Sequence, residues 1–304
     1  QIATGNNPAV VLATGTHVIK LTVTDNDGNT ETDDVVVVVQ AQAPAATFSD
    51  QTVAAGLVYD QNAGAPAGPE IMAGGIATGD YADILFSNDG DGTFTDVSVA
   101  AGLTADLPSN GCEFADIDND GDLDLYVTTL FGDTRFYLYV NNGNGTFTED
   151  AVARGLDLTS AETHFGFGVS FGDYNRDGYV DIHTSEWRPD SAVVSPPAPS
   201  NNRLFRNEGA GNPGVFVDVT DAAGVNVDAI APVPGTGSDG GDQGPGVYGF
   251  TSAFVDLDQD GWQDLWLNSD FGTGQIFWND TDGTFTNGTA AAGIGTESNG
   301  MGLA

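Results

Sequence analysis

Short apolar runs, each closed by Asn, Asp or Gly, dominate the pattern of hydrophobic and polar positions along the chain. Residues 123–127, 204–206 and 265–267 are examples, and they are rich in Leu, Val and aromatic residues. Runs of this kind, bounded by turn residues, predict short strands joined by tight turns. Because amphipathic helical periodicity is scarce, the pattern predicts an all-β fold.

An internal repeat organises these strands. A phrase of the form Gly-Thr-Phe-Thr-Asp, followed by Ala-Ala-Gly-Leu, occurs five times, with its aromatic residue at Phe48, Phe94, Phe147, Phe216 and Phe285. A second phrase that ends in Asn precedes four of them, at Asn88, Asn141, Asn207 and Asn279. Strand-rich units repeated every 46 to 69 residues are typical of propeller blades. The extra length falls in predicted loops at 188–200 and 230–246.

Three stretches place carboxylates at alternating positions and share the pattern Asp-x-Asp/Asn-x-Asp-Gly-x-x-Asp. We call them loop A (116–124), loop B (173–181) and loop C (256–264). Side chains at positions 1, 3, 5 and 9 and the carbonyl at position 7 are the predicted metal ligands. They are Asp116, Asp118, Asp120, Asp122 and Asp124 in loop A, Asp173, Asn175, Asp177, Tyr179 and Asp181 in loop B, and Asp256, Asp258, Asp260, Trp262 and Asp264 in loop C.

Calcium suits this pattern best, because Ca²⁺ takes six to eight hard oxygen ligands and the glycine at position 6 permits a sharp turn. The loops are not EF-hands, since position 12 holds Val127, Thr184 or Leu267 instead of a bidentate Glu. Magnesium prefers to keep its waters, and zinc would need clustered His or Cys. An acidic, solvated turn is the alternative, and three copies at the same place relative to the Phe phrase argue against it. We expect about three Ca²⁺ sites.

Two further acidic stretches fit the pattern less well. From Asp80 to Phe94 is 14 residues, whereas the corresponding spans in the other units are 31, 43 and 29. Either the first unit is reduced or a segment is absent between Tyr81 and Ala82, and we favour the second explanation. The turn at 25–29 is also rich in carboxylates, but its glycine is misplaced for a cage, which favours a plain hairpin turn over a metal site.

The charge balance excludes several classes of partner. The chain has 44 acidic and 7 basic residues and a net charge of -37. Nucleic-acid binding needs a basic surface, and anionic membranes would repel this chain. No apolar run approaches a membrane span, and one cysteine, Cys112, cannot form an intrachain disulfide. No catalytic constellation is evident, so we expect no catalytic residues and no enzyme activity.

The phrases at 114–125 and 202–207, together with the Phe phrase, resemble the FG-GAP/VCBS repeat family, and most closely its ASPIC/UnbV, cartilage acidic protein-like group. The resemblance covers residues 46–304. It implies an integrin-α-like β-propeller, usually seven-bladed and only partial here, with Ca²⁺ in the blade loops. It also implies an extracellular or cell-surface location, in a secreted protein of bacterial origin.

The first 40 residues lack the repeat. Residues 16–24 alternate, residues 25–29 form a predicted turn and residues 35–39 form a second strand, which predicts a β-hairpin. Residues 9–40 resemble the closing strands of a PKD or related immunoglobulin-like module. We therefore predict the end of a β-sandwich at 1–40, a linker at 41–46 and four blade units plus a partial one at 47–304. Both ends resemble cuts from a longer protein.

These observations favour a non-catalytic, calcium-binding propeller that acts in adhesion, matrix or cell-surface interaction, with an unknown protein or glycan as its partner. A subunit of an extracellular fibre or surface assembly, which would self-associate, is one alternative. A carbohydrate-active or glycan-binding module is the other, and it requires acidic residues outside the three loops close to an exposed Trp.

Overall fold

The computed structural model describes residues 15–24, 27–39, 83–130, 135–156, 164–187, 202–228, 230, 246–270 and 272–294. The chain divides into two compact units, Gln1–Gln51 and Thr52–Ala304. Among the described residues, no helix is long and apolar enough to cross a membrane. The first repeat phrase around Phe48, the junction at 81–82, the linker at 41–46 and the loop at 188–200 lie outside the described residues.

The first unit contains the predicted hairpin. Strands β1 (Gly15–Thr24) and β2 (Thr30–Val39) pair antiparallel, from Gly15 opposite Val39 to Thr24 opposite Thr30. Gly28 adopts a φ of +86°, the left-handed conformation that glycine adopts at little cost. The hairpin is confirmed, and the identification of residues 1–40 with a PKD or immunoglobulin-like module stays a prediction.

The second unit is built from antiparallel sheets in the order of the chain. Within the residues described above, a two-stranded sheet is followed by three four-stranded sheets, which we call sheets A, B and C. The first comprises β3 (Phe86–Asn88) and β4 (Phe94–Asp96). Sheet A comprises β5 (Ser109–Ala115), β6 (Asp124–Thr129), β7 (Tyr137–Asn141) and β8 (Phe147–Glu149). Sheet B comprises β9 (Gly166–Gly172), β10 (Asp181–Glu186), β11 (Arg203–Asn207) and β12 (Phe216–Asp218). Sheet C comprises β13 (Gly249–Val255), β14 (Asp264–Ser269), β15 (Gln275–Asn279) and β16 (Phe285–Asn287).

Each four-stranded sheet is a meander whose neighbours in space are its neighbours in sequence. The first strands of the sheets meet one another, since β9 packs against both β5 and β13. In the described part of the chain, the single-turn helix α1 (Ser98–Ala101) follows β4 and the single-turn helix α2 (Thr289–Ala292) follows β16. Serial four-stranded meanders whose first strands pack together are the arrangement of propeller blades. The all-β, propeller-like fold predicted from the repeat is confirmed.

The hydrophobic core lies between consecutive sheets. One cluster joins Tyr126 and Leu138 of sheet A to Ile182 and Phe205 of sheet B. A second cluster joins sheet B to sheet C, where Leu204 meets residues such as Leu265 and Phe277. A third lies between sheet A and the segment around α1. The first two clusters each draw side chains from two consecutive sheets, so sheets A, B and C bury apolar residues against their neighbours, as is typical of repeats that stack in series.

The two repeated phrases meet at these junctions. The Phe285 amide of sheet C donates to Ala223 O, in the Ala-Ala-Gly phrase that follows sheet B, at 2.8 Å. Phe216 bonds Arg154 O in the same way one sheet earlier, also at 2.8 Å. The glycine of the phrase faces the carbonyl of the same Phe: a Cβ on Gly224 would lie 2.9 Å from Phe285 O. The two repeated sequence phrases are therefore the residues that form a recurring backbone contact between consecutive sheets.

Candidate metal centres

The three predicted metal loops occupy equivalent places in consecutive sheets. Each loop leaves the first strand of its sheet and enters the second, and position 9 is the first residue of that second strand. Loop A joins β5 to β6, loop B joins β9 to β10 and loop C joins β13 to β14. The strand-to-strand setting predicted for these loops, in place of an EF-hand helix pair, is confirmed.

The loops close with the same hydrogen bonds. The amide of the position-6 glycine donates to Oδ2 of the position-1 aspartate, at 3.0 Å in loops A and C and 2.9 Å in loop B. The position-7 amide donates to Oδ1 of the position-5 aspartate at 2.8 to 3.0 Å. Position 4 is left-handed in all three loops, with φ of +60° at Asn119, +58° at Arg176 and +66° at Gln259. The repeated pattern of residues therefore folds into one repeated geometry.

This geometry gathers the side chains of positions 1, 3 and 5. Asp116, Asp118 and Asp120 each place a carboxylate oxygen within 4.8 Å of the others. The three corresponding residues of loop C do the same. In loop B the Asp177 amide donates to both Asp173 Oδ1, at 3.0 Å, and Asn175 Oδ1, at 2.9 Å, which holds these residues together. Three oxygen-bearing side chains converge in each loop, as a hard cation requires.

The position-9 aspartates are held by the backbone at the base of each loop. Asp124 accepts the Ile117 amide at 3.2 Å and the Asn141 amide at 2.8 Å. Asp264 accepts two amides in the same way, at 2.9 Å each. Asp181 accepts the Asn207 amide at 2.8 Å. These carboxylates lie outside the close trios of positions 1, 3 and 5, and their contribution to a metal cage stays a prediction, as does that of the position-7 carbonyls of Asp122, Tyr179 and Trp262.

Each loop also contains one buried carboxylate oxygen that has no hydrogen-bond partner. These atoms are Asp118 Oδ1, Asp181 Oδ2 and Asp256 Oδ1. Asp181 is fully buried, and this burial raises the pKa of its carboxyl to about 8. A buried polar atom without a partner is costly, and a bound cation would satisfy it. The residues present therefore fit a calcium ion in all three loops.

Neighbouring loops touch along one side of the second unit. Asn119 Nδ2, at position 4 of loop A, donates to Gly178 O of loop B at 2.9 Å. Arg176, at position 4 of loop B, lies with its guanidinium carbon 4.9 Å from the ring centroid of Trp262 in loop C. Position 4 of loop A therefore contacts position 6 of loop B, and position 4 of loop B contacts position 7 of loop C.

Arg154 brings a positive charge to loop A. Its guanidinium lies 3.5 Å from Asp118 Oδ2 and 3.1 Å from Asp150 Oδ2. It also donates to Pro213 O at 3.2 Å and Gly214 O at 3.3 Å, in sheet B's connection between β11 and β12. This arginine stands where the other repeat phrases have alanine, and sequence reasoning assigned it no role.

Sequence reasoning also missed a set of asparagines that connect the loops. The Asn at the end of the third strand in each sheet donates its backbone amide to the position-9 aspartate of its own loop. Its side-chain amide bonds the position-8 carbonyl of that loop, at 3.1 Å for Asn141, 3.2 Å for Asn207 and 2.9 Å for Asn279. Asn207 and Asn279 also bond the position-2 carbonyl of the preceding loop, at Ile117 O (2.8 Å) and Tyr174 O (2.9 Å). The recurring Asn phrase was the available signal.

A groove lies beside loop B, facing sheet C. It encloses about 760 Å³ and is lined by Asn175 and Asp177 of the loop, by Arg206 and Glu208, and by Trp262. Glu208 is an acidic residue outside the three loops, and Asp282 is a second one on the same groove. Trp262 thus lines a groove together with acidic residues outside the three loops, the combination that the carbohydrate alternative requires.

The acid–base pair that could suggest catalysis is enclosed. His164 Nδ1 lies 3.1 Å from both carboxylate oxygens of Glu186, and each residue is 1% exposed. The Phe165 amide also donates to Glu186 at 3.2 Å. The pair therefore forms part of a buried polar network whose hydrogen bonds are made within the protein.

The serial four-stranded sheets and their loops define a β-propeller-like protein with one acidic loop per complete sheet. Residues 69–127 and 128–184 match the sequence model described as an FG-GAP-like repeat, in agreement with the resemblance that the motifs show. The chain is 34% identical to cartilage acidic protein 1 of Mus musculus over 92 residues, which are 30% of this chain and 14% of that protein. The Homo sapiens protein is 33% identical over 92 residues, 30% of this chain and 13% of its own length. The match thus spans about one seventh of these relatives.

Proposed function

We propose that this chain is a calcium-binding β-propeller that acts outside the cell or on its surface, in adhesion, matrix or surface interaction, without catalysis. One observation carries the metal assignment. Loops A, B and C close with the same two hydrogen bonds, and each keeps a buried carboxylate oxygen that no described group bonds. Calcium would satisfy these oxygens, neutralise the repulsion among each loop's aspartates and so fix the connection between two strands.

The extracellular and adhesive part of the proposal has separate support. The relatives are named for cartilage, a tissue made largely of extracellular matrix, and for acidity, which this chain shares at a net charge of -37. Binding of immobilised matrix and cell-surface components, compared between calcium and chelator, tests this role. A protein that binds calcium but none of these surfaces would contradict the adhesive role alone. Measuring the molecular mass with and without calcium tests the alternative of a self-assembling fibre subunit.

Thermal melting with calcium or with a chelator tests the metal assignment. One site at a calcium concentration of about 100 times Kd adds about 2.7 kcal/mol, which for a unit of this size raises Tm by about 5 to 10 °C. The variant that combines Asp116→Ala, Asp173→Ala and Asp256→Ala removes position 1 from every loop and should show no shift. Magnesium at the same concentration should have a smaller effect. An unchanged Tm of the native sequence in calcium would refute calcium binding.

The groove beside loop B favours glycan binding as the second candidate. It combines an aromatic side chain, Trp262, with the planar polar groups of Arg206, Glu208 and Asn212, and its volume suits a small saccharide. A glycan array probed with the native chain and with Trp262→Ala tests this candidate. Because the predicted ligand at position 262 is a backbone carbonyl, the variant should lose glycan binding and keep calcium binding. An array with no bound glycan would exclude the candidate.

A further inference from the structure

We propose that Asn207 and Asn279 couple neighbouring metal loops, so that calcium bound in one loop raises the affinity of the next. The inference rests on the proposed calcium binding and adds to it. Metal ligands within one loop belong to one sheet, whereas each of these asparagines touches two loops. They are positioning residues, because they bond the loop backbone and would not contact the ion through the bonds described.

The connection through Asn279 joins loop B to loop C. Its side-chain amide donates to Tyr174 O, which is position 2 of loop B, at 2.9 Å. Its backbone amide donates to Asp264 Oδ1, which is position 9 of loop C, at 2.9 Å. One residue therefore fixes the entry of one loop and the closing carboxylate of the next.

Asn207 makes the same connection between loops A and B. It donates to Ile117 O, position 2 of loop A, at 2.8 Å, and to Asp181 Oδ1, position 9 of loop B, at 2.8 Å. The residues it joins are 90 and 26 positions away in sequence. Both asparagines are buried, at 1% and 8% exposed, so water does not readily replace these bonds. The same pair of hydrogen bonds, one to each of two neighbouring loops, occurs at both asparagines, so it belongs to the repeat. We call each pair an asparagine bridge.

Each asparagine bridge holds loop positions that calcium binding would also order. Position 2 lies between two predicted ligands, at positions 1 and 3, and position 9 is itself a predicted ligand. When an ion orders one loop, the shared asparagine is held in place, and the next loop loses less conformational freedom on binding its own ion. Ordering that is shared between two sites gives positive cooperativity.

The chain supplies a matched control. Asn141 has the same place in sheet A, donates to Leu123 O at position 8 and accepts the Gly143 amide two residues later at 3.1 Å. Asn279 donates to Gln263 O at position 8 and accepts the Thr281 amide two residues later at 2.9 Å. Within the described residues, the two differ in the bond to a preceding loop, which only Asn279 shows. Asn279→Ala and Asn141→Ala therefore lose the same local bonds and differ in the connection between sheets.

Calcium titration calorimetry in an Asp116→Ala background, which leaves loops B and C, tests the coupling. We expect two ions with a Hill coefficient above one, and a second-ion affinity about two- to tenfold higher than the independent-site value, as one buried hydrogen bond implies. Asn279→Ala should bind two ions independently, whereas Asn141→Ala should keep the cooperativity. Melting in chelator reports the general loss of stability, which should be larger for Asn279→Ala because this variant also leaves Tyr174 O without its buried partner.

Each outcome has one meaning. Two ions bound independently by the Asp116→Ala protein, or cooperativity that survives Asn279→Ala, would overturn the coupling and leave calcium binding intact. The absence of any calcium-dependent heat or Tm shift in the native sequence would instead overturn the proposed function. If Asn279→Ala does not fold, Asn207→Ala in an Asp256→Ala background asks the same question of loops A and B.

Discussion

The glycine of the Ala-Ala-Gly phrase provides a graded test of how the sheets pack in series. Gly224 has a φ of +78°, and a Cβ built on it would lie 2.9 Å from Phe285 O. That carbonyl cannot move away freely, since the Phe285 amide is bonded to Ala223 O at 2.8 Å. Gly293 is the equivalent residue of the last phrase, with a φ of +72° and no described atom within 4 Å of its Cβ position. Gly293→Ala therefore reports the cost of backbone strain alone, whereas Gly224→Ala reports backbone strain together with the steric conflict.

The two terms can be estimated separately. A left-handed alanine costs about 1–2 kcal/mol, and about 0.4–1 kcal/mol of this is offset because alanine restricts the unfolded chain. Gly293→Ala should therefore lower the free energy of unfolding by about 1 kcal/mol. Overpacking against a fixed backbone adds about 1–3 kcal/mol. Gly224→Ala should thus lose about 2–4 kcal/mol in total.

Urea unfolding followed by tryptophan fluorescence, in saturating calcium, measures these losses. The order of destabilisation should follow the closeness of the added Cβ to the Phe carbonyl of the next sheet. Gly155 makes the tightest approach, to Phe216 O, followed by Gly224 at 2.9 Å and Gly102 at 3.2 Å from Phe147 O. Gly293→Ala should be the mildest. Equal losses at all four positions would refute the argument that the phrase is retained for contact between sheets, and would leave only backbone strain.

Three further predictions concern single side chains. Arg154→Ala removes a cation that lies 3.5 Å from Asp118 Oδ2, so it should lower Tm in chelator and raise the calcium affinity of loop A a few-fold, as measured by calorimetry. Arg154→Lys keeps the charge and should show smaller changes in both quantities. An unchanged calcium affinity of Arg154→Ala would contradict the electrostatic reasoning. Burial lowers the pKa of His183 to about 3 in the folded chain. The unfolded chain takes up a proton on this residue near its usual pKa of about 6.5. The free energy of unfolding should therefore fall as pH drops from about 6.5 toward 3. His183→Asn should flatten this part of the urea-unfolding profile, and an identical slope would contradict the assignment. Burial raises the pKa of Cys112 to about 11, so a thiol reagent at pH 8 should react slowly with the folded chain and quickly in denaturant.

Local sequence rules sufficed for the strands and for the shape of the metal loops. The alternation at 16–24 and the short runs at 123–127 and 265–267 fall in strands, because the turn residues that bound them leave few other conformations. The Asp-x-Asp/Asn-x-Asp-Gly pattern predicted closed loops because its hydrogen bonds join residues two to five positions apart. Both partners of such a short-range hydrogen bond lie within the nine-residue pattern, so the pattern alone predicts the bond.

Contacts between sheets could not be predicted in the same way. Asn279 bonds Tyr174 O across 105 residues, and Arg154 reaches Gly214 O across 60. Which residue of one repeat faces which residue of the next depends on how the sheets are offset, and the repeat alone does not fix that offset. The Asn phrase therefore marked an important position without revealing its bonds. The His164–Glu186 pair was missed for the same reason, since burial and not motif brings it together.

The positions of the three loops show where part of the chain's negative charge is concentrated. Loops A, B and C follow one another side by side, because Asn119 bonds Gly178 O and Arg176 covers Trp262. The aspartates of three sheets are thus concentrated along one edge, where repulsion within and between loops opposes the packed state. Arg154 and Arg176, two of only 7 basic residues in the chain, lie at this edge and offset a small part of it. Three calcium ions would offset far more, and they would do so at the points where consecutive sheets are joined. If calcium binds in the three loops as we propose, the packing of the second unit should therefore depend on cations.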